Sequence, residues 1–462
     1  MTACTLIEAG IGEWRSAVID EDGLPVALDF HAEAALTPLH AIFDARVTKL
    51  DTASDIAFLD LDGKRSGILN LRRAKLIVGG SAQSIGDCVA EGERLRVQVV
   101  AEPSLLDDKA LPVTPRPRLT GRYVVAEAGA SRLNFSKDLG PKAVKELTEL
   151  LSPIADQVAL VVRSRASSVT PEAVADEARW LAEALTAPQS EGLVFSLAPI
   201  EQALLAVEDG DSPVLVTDID ALHAAQGLAR NRWPDLFRRV ALYEGDHPAF
   251  EALGVEEAID EALADRIELP SGGWIGIHPT PAMTAIDVNM GAALQGRRAV
   301  DAKLQVNLEA VQAIAFHLRF QDIGGLVVVD FIDMGAKGHA AELMAAMDDA
   351  FRADSVPIQH TGISTFGLVE IARKRTGLSL RDRLTVARKP AMRAQGAALK
   401  LLREARRAGM GNTPGQIEIR AEAAVTGWLE ARPALTEALS AATARQVKLT
   451  TATPGGVAIV KE

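Results

Sequence analysis

From about Thr37 to Arg122, apolar and polar positions alternate in four short runs, HAIFDARVTKLD, DIAFLDLDGKRSGILNL, GERLRVQVVAE and GRYVV, separated by turn signals. Such alternation predicts half-buried strands closing a small antiparallel barrel, with Asp62-Gly63 as a hairpin turn. The period then changes. In KDLGPKAVKELTELLSPI, Val144, Leu147 and Leu151 recur at helical spacing, and the strand QVALVVRS follows. SVTPEAVADEARWLAEALTAP predicts a second helix, with Thr170 as N-cap and Pro171 in the first helical position. Between about Leu193 and Glu268 apolar strands alternate with helical stretches, and VEEAIDEALADRIELPSGG leads through a turn into the strand WIGIH.

Further along, the strand TAIDVN, a helix over Asp301 to Phe320 and the strand LVVVDFID form a strand-helix-strand unit, which predicts two parallel strands lying side by side. Leu304, Leu308, Val311, Ile314 and Leu318 mark the apolar face of the helix, and Gly324-Gly325 suits the left-handed geometry that closes it. Alternate side chains of a strand share a face, so Asp287 and Asn289 point one way and Ile286 and Val288 the other. A carboxylate buried in an apolar strand is costly without a partner. Asp330, in the second strand with Val328 and Ile332 on its face, is the partner expected for Asp287, whereas Asp333 faces away. From about Lys389 a helix, a strand, two helical stretches and two strands predict a small α+β domain.

Composition narrows the classes. A chain of 462 residues with 48% hydrophobic and 24% charged residues holds several globular units. No stretch reaches the length of a membrane span, and MTACTLIEAGIGEWRSAVIDEDG has neither a basic leader nor an apolar signal core, so a cytoplasmic location is expected. Cys4 and Cys88 form no CxxC, and the histidines lack the i, i+4 pairing of a helical zinc site. The net charge of −13 opposes bulk attraction to nucleic acid, leaving only local basic patches to bind it.

Two carboxylates on adjacent strands can hold one hard divalent cation; equally, each can simply end a strand or cap a loop. The ordered runs LPSGGWIGIHPTPAMTAIDVN, VNLEAVQAIAFHLRFQDIGGLVVVDFIDM and ISTFGLVEIARKR, with LYEGDHPAFEALGVEEAIDEAL upstream, resemble the catalytic core of the ribonuclease E/G family. The resemblance implies a Mg²⁺-dependent endoribonuclease acting on internal phosphodiesters of single-stranded RNA, in RNA processing or decay. It implies Asp287 and Asp330 as catalytic metal ligands, with Asn289 orienting the first.

It further implies an RNA path. Phe58 matches an aromatic that stacks on a base, with Ile68 where a second aromatic is expected. Arg163 and Ser164 match a pair gripping an RNA 5′-monophosphate. Arg132, Lys109, Lys337, Arg373 and Arg375 match basic RNA contacts, and Arg297 and Arg298 are candidates to replace arginines absent from the loop after Asn289. There the family serine is Met290 and its arginine positions hold Ala292 and Gln295; in ISTFG an arginine is replaced by Thr365. TVARKPAMR lacks the cysteines through which family subunits share a zinc ion, so any homodimer or higher oligomer forms without it. The chain looks like the shorter form of the family, without its long scaffold tail.

The expected architecture is α/β and α+β multidomain. It comprises a ribonuclease H-like subdomain (1–34 with 208–262), an inserted OB-fold RNA-binding barrel (35–122), a 5′-end sensor (123–207), a deoxyribonuclease I-like catalytic subdomain (263–388) and a small C-terminal α+β domain (389–462). Two rivals stand beside the nuclease. One is an RNA-binding or regulatory homologue with a relic metal site. The other is a small-substrate phosphohydrolase, for which no Walker loop, GxSxG elbow or dinucleotide fingerprint speaks.

Overall fold

A computed structural model describes residues 3–36, 38–102, 110–280, 282–293, 299–334, 338–375, 377–385, 390–411, 413–452 and 455–461. Five sheets organise them. The first runs, from one edge, Val240–Leu242, Val214–Val216, Cys4–Glu8, Glu13–Ile19, Pro25–Ala32. Its central strand, Cys4–Glu8, is parallel to Val214–Val216 and antiparallel to Glu13–Ile19. All five of its residues are buried because both faces are covered. Leu6 packs with Phe250 and Ile259, and Ile7 with Val214 and Val216.

The second unit is a closed five-stranded barrel, Ile42–Asp51, Ile56–Asp60, Ser66–Asn70, Leu111–Thr114 and Arg94–Val99, sealed by pairing of Ile42–Arg46 with Arg94–Gln98. The alternation along these strands sends Ala57, Leu59 and Leu69 into its core. One expectation fails here. GRYVV is not a barrel strand: Val124–Glu127 belongs to the next sheet, and the barrel takes Leu111–Thr114 instead. That four-residue strand contains Pro112, a residue that argues against a strand interior; it lacks an N–H but still serves the sheet through its carbonyl, which accepts the Val100 N–H at 2.9 Å.

The third sheet is ordered Arg132–Phe135, Ala159–Val162, Val124–Glu127, Arg118–Thr120, and packs against the helices Pro141–Ala155 and Pro171–Thr186. Thr170 caps the second of these helices as expected, accepting the Ala173 N–H at 3.4 Å, with Pro171 next.

The fourth sheet is ordered Ile267–Glu268, Trp274–Pro279, Thr284–Asn289, Gly325–Asp330, Leu368–Arg373, Ile358–His360. Thr284–Asn289 and Gly325–Asp330 are parallel, joined by the long helix Ala299–Phe320. The buried stripe of this helix is Ala302, Val306, Ala310, Ile314 and Leu318, so Leu304 and Leu308 flank the core instead of centring it. Nor do the glycines close the helix. Asp322 takes the left-handed position at φ 49°, and Ile323 N–H reaches back to the Leu318 carbonyl at 3.0 Å. Gly324 is needed because a Cβ there would lie 2.7 Å from the Arg375 Cα.

The fifth sheet, Val447–Thr451, Gln416–Ala421, Gly456–Val460, packs with the helices Pro390–Gly409, Ala423–Glu430 and Pro433–Thr443 as the expected α+β unit. Among the described residues no helix is long and apolar enough to cross a membrane.

Candidate metal and RNA site

The fourth sheet is apolar on one face only. Ile275, Ile277, Ile286, Val288, Val327, Val329, Val369 and Ile371 form the inner face against the long helix, each at most 5% exposed. The intervening residues line the other face. Register places Gly276, Asp287, Asp330 and Leu368 in one row across four strands, and in-register neighbours share a face. The two carboxylates therefore stand side by side on an open sheet surface. Both are exposed, so the burial penalty anticipated for Asp287 does not arise.

Asn289 is on the same face and its Nδ2 donates to Asp287 Oδ2 at 2.7 Å. This fixes one oxygen of an exposed carboxylate. Asp287 and Asp330 suit a hard cation that accepts one or two carboxylates and keeps water and phosphate for its remaining positions. Among the described residues no group of three or more His, Cys, Asp or Glu is assembled for a metal, so an all-protein cage is not on offer.

Several residues on this face escaped the sequence reading. Trp274 and His278 flank Gly276, where an added Cβ would fall 2.7 Å from His278 Nε2. Phe366 is 85% exposed at the tip of the turn ahead of Leu368, which is the register partner of Asp330. Beneath the site, Asn307 has no exposure at all. Its Nδ2 donates to the Ile332 carbonyl at 2.8 Å, and its Oδ1 accepts the Ile332 N–H at 3.1 Å, holding the chain two residues past Asp330. A polar side chain on the buried side of an apolar helix was the available signal.

The remaining candidates are dispersed. Phe58 is only partly buried, paired across strands with Ile68, and lies outside the barrel core. Arg163 donates to the Gly121 carbonyl at 2.8 Å, and Ser164 is exposed at the start of the short helix Ser164–Ser168. Arg132 pairs loosely with Glu127 at 3.7 Å and sits opposite Ala159, at the other end of the strand that leads into Arg163.

Arg373 is a correction. It is 4% exposed and points to the face opposite Asp330, bound to Asp354 and Asp322 at 2.8 Å each. Burial opposes its charge, but the two aspartates more than offset this and hold the guanidinium above its ordinary range. It also pairs with Gly325, five positions from Asp330 and about 17 Å along the strand. Arg373 is thus a buried structural ion pair, not an RNA contact, and Arg375, though exposed, lies at that same far end. Lys109, Arg297, Arg298 and Lys337 lie outside the described residues.

The sequence profile of the ribonuclease E/G family matches residues 118–376. Ribonuclease G of Salmonella typhimurium (strain SL1344) is 29% identical over 397 residues, spanning 81% of this chain and 80% of that protein. Ribonuclease G of Escherichia coli (strain K12) is also 29% identical, over 82% and 81% of the two chains. Ribonuclease E of Haemophilus influenzae is 31% identical over 80% of this chain, which corresponds to 41% of its own length.

Proposed function

The chain belongs to the ribonuclease E/G family, and from this we infer that its open sheet face is the cutting site of a Mg²⁺-dependent endoribonuclease hydrolysing internal phosphodiesters of single-stranded RNA in the cytoplasm. That the protein is an endoribonuclease, a hydrolase acting on RNA, rests on the family match and on relatives named ribonuclease G and ribonuclease E. The observation that carries the site is the in-register pair Asp287 and Asp330 with Asn289 bonded to the first.

Asp287 and Asp330 would hold the cation, which when bound supplies Lewis acidity toward a phosphoryl oxygen and an activated water. Asn289 keeps the Asp287 carboxylate in one orientation, and Asn307 keeps the segment after Asp330 in place. Both carboxylates are exposed on the sheet face, where a single strand can reach them. Phe58, on the outer barrel wall, offers a ring on which a base can stack. Arg163 and Ser164 are assigned to a 5′-monophosphate. The Gly121 carbonyl holds one guanidinium nitrogen of Arg163, leaving its other donors for the phosphate.

In this reading the first sheet is the ribonuclease H-like subdomain (1–34 with 208–262), the barrel an OB fold (35–122), and the third sheet the sensor (123–207). The fourth sheet is the deoxyribonuclease I-like catalytic subdomain (263–388), and 389–462 the small domain. A second reading, an RNA-binding homologue with weakened catalysis, is favoured by Met290. It packs on the sheet core where the family would present a serine hydroxyl next to Asn289.

The test is cleavage of an A/U-rich single strand carrying a 5′-monophosphate or a 5′-hydroxyl, with Mg²⁺. Cutting of both, faster for the monophosphate and equalised by Arg163→Ala, is the expected result. An RNA that binds yet stays whole at high enzyme concentration would replace the nuclease by the second reading.

A further inference from the structure

A cleft of about 1280 Å³ opens between the first sheet, the barrel, the third sheet and the far end of the fourth, away from Asp330. Its charge is opposite to that of the chain as a whole. The barrel contributes Arg72 and Arg73, the approach to the third sheet Arg116 and Arg118, and the catalytic segment Lys374 and Arg383. Three acids face them, Asp29, Glu127 and Asp322. Two of these are already engaged, Asp322 with Arg373 and Glu127 with Arg132.

The cations are left short of partners. Among the described residues no carboxylate pairs with Arg72, Arg73, Arg116 or Lys374. Arg72 and Arg73 occupy the first turn of the helix Leu71–Val78, which carries no acid there. The positive end of a helix disfavours cations, so two arginines in that turn are an arrangement that an anion would relieve. Burial and the neighbouring Arg72 together push the Arg73 guanidinium down. Independently, Arg116 is pinned by a bond to the Leu76 carbonyl at 3.1 Å, while its buried Nε has no hydrogen-bond partner among the described residues. A buried donor without an acceptor calls for a ligand atom.

We propose that this cleft is a binding site for a phosphate-bearing ligand and that its occupant is a stretch of the RNA chain outside the cut site. The identity of the occupant rests on the ribonuclease reading; the anion site does not. The cleft is larger than an ordinary small-molecule pocket, and cations reach it from several elements, as suits a backbone and not one phosphate group. Lys374 and Asp322 place its near edge beside the Gly325 end of the catalytic strand, about 17 Å from Asp330. An RNA held there is anchored several nucleotides from the bond that is cut.

The test uses the full chain in chelator, so that RNA stays intact, and measures fluorescence anisotropy of a labelled pentanucleotide and of an RNA of about twenty nucleotides over a range of salt. Arg72→Ala with Arg73→Ala should weaken the long RNA roughly tenfold or more and make its log–log salt dependence shallower by about 1.4, two single-strand phosphate contacts' worth. The pentanucleotide should be unaffected. Asp29→Asn should tighten the long RNA, a gain that a misfolded variant could not produce. Unchanged long-RNA binding in both the double variant and Arg116→Ala would overturn the proposal. Pyrophosphate binding that needs these arginines, with RNA binding indifferent to them, would assign the cleft to a free phosphate compound and also overturn it. If the arginines govern long-RNA binding but the wild type fails to cut either RNA when Mg²⁺ is restored, the cleft stands and the ribonuclease reading falls.

Discussion

At the residue scale, Asp287, Asn289 and Asp330 could be read from the sequence because a strand has a period of two and the two strands were long enough to phase. What could not be read was the openness of the face they share, since a string of residues does not say on which side a helix will pack. The helix covers the Ile286 and Val288 side and leaves the carboxylates exposed. Asn307 was missed for the opposite reason: its partner is a backbone group of Ile332, which has no signature in sequence. The Asn289 bond to Asp287 yields a specific expectation. Asn289→Ala should lower metal affinity or activity by about 10- to 100-fold without abolishing it, as is usual for a residue that orients a ligand. A Mg²⁺ titration of the cleavage rate reads this as a higher half-saturating concentration, and an unchanged curve would remove Asn289 from the site.

At the element scale, the long helix of the fourth sheet, the two helices on the third sheet and the whole C-terminal unit follow from periodicity and from caps such as Thr170. The failures share one cause, tertiary contacts that override a local signal. Leu111–Thr114 is a strand because a barrel needs closing, despite Pro112. The run after Gly121 joins a different sheet because Glu177, 1% exposed on the helix behind it, accepts the backbone N–H groups of Arg122, Tyr123 and Val124 at 2.6 to 2.9 Å. The same carboxylate accepts the Trp233 indole N–H at 2.8 Å. Gly121 is required beside it, since a Cβ would lie 2.6 Å from the Glu177 carboxyl carbon, and the Gly121 carbonyl in turn holds Arg163. Glu177→Gln keeps the shape but turns an amide N–H₂ toward donors. It should cost about 2–5 kcal/mol, because buried donors lose their acceptor. A urea melt checks the value, and an unchanged midpoint would mean that the network carries little stability.

At the scale of the whole molecule, discontinuous units are tied by charge where the sequence showed only scattered arginines and glutamates. The helix Pro390–Gly409 docks on the first sheet and its flank through Arg403 to Glu13 at 2.7 Å, Arg406 to Asp218 at 2.6 Å and Arg407 to Glu8. Glu8 also binds Arg15. Burial pushes the Glu8 carboxyl up, but Arg15 and Arg407 more than offset it and leave it below its ordinary value. Its contribution is therefore complete above pH 4.5 and lost as the pH falls through the folded value. His31, pushed down to about 3 by burial, acts earlier in the same direction: below pH 6.5 the unfolded chain takes the proton that the folded chain refuses. Tm should fall as the pH is lowered from 6.5 toward 3, with His31→Gln flattening the profile throughout that window and Glu8→Gln only below pH 4.5; a flat profile in the wild type would contradict the assignment. In the proposed mechanism, the cutting chemistry of the whole molecule depends on the pair of carboxylates on the open sheet. The most direct measurement is single-turnover cleavage of one defined RNA by wild type and Asp330→Asn, each with Mg²⁺ and with chelator, alongside circular dichroism of both proteins. Cutting that disappears with either chelator or the substitution, in a variant with native secondary structure that still binds the RNA, is the predicted result. Normal cutting by Asp330→Asn would contradict it.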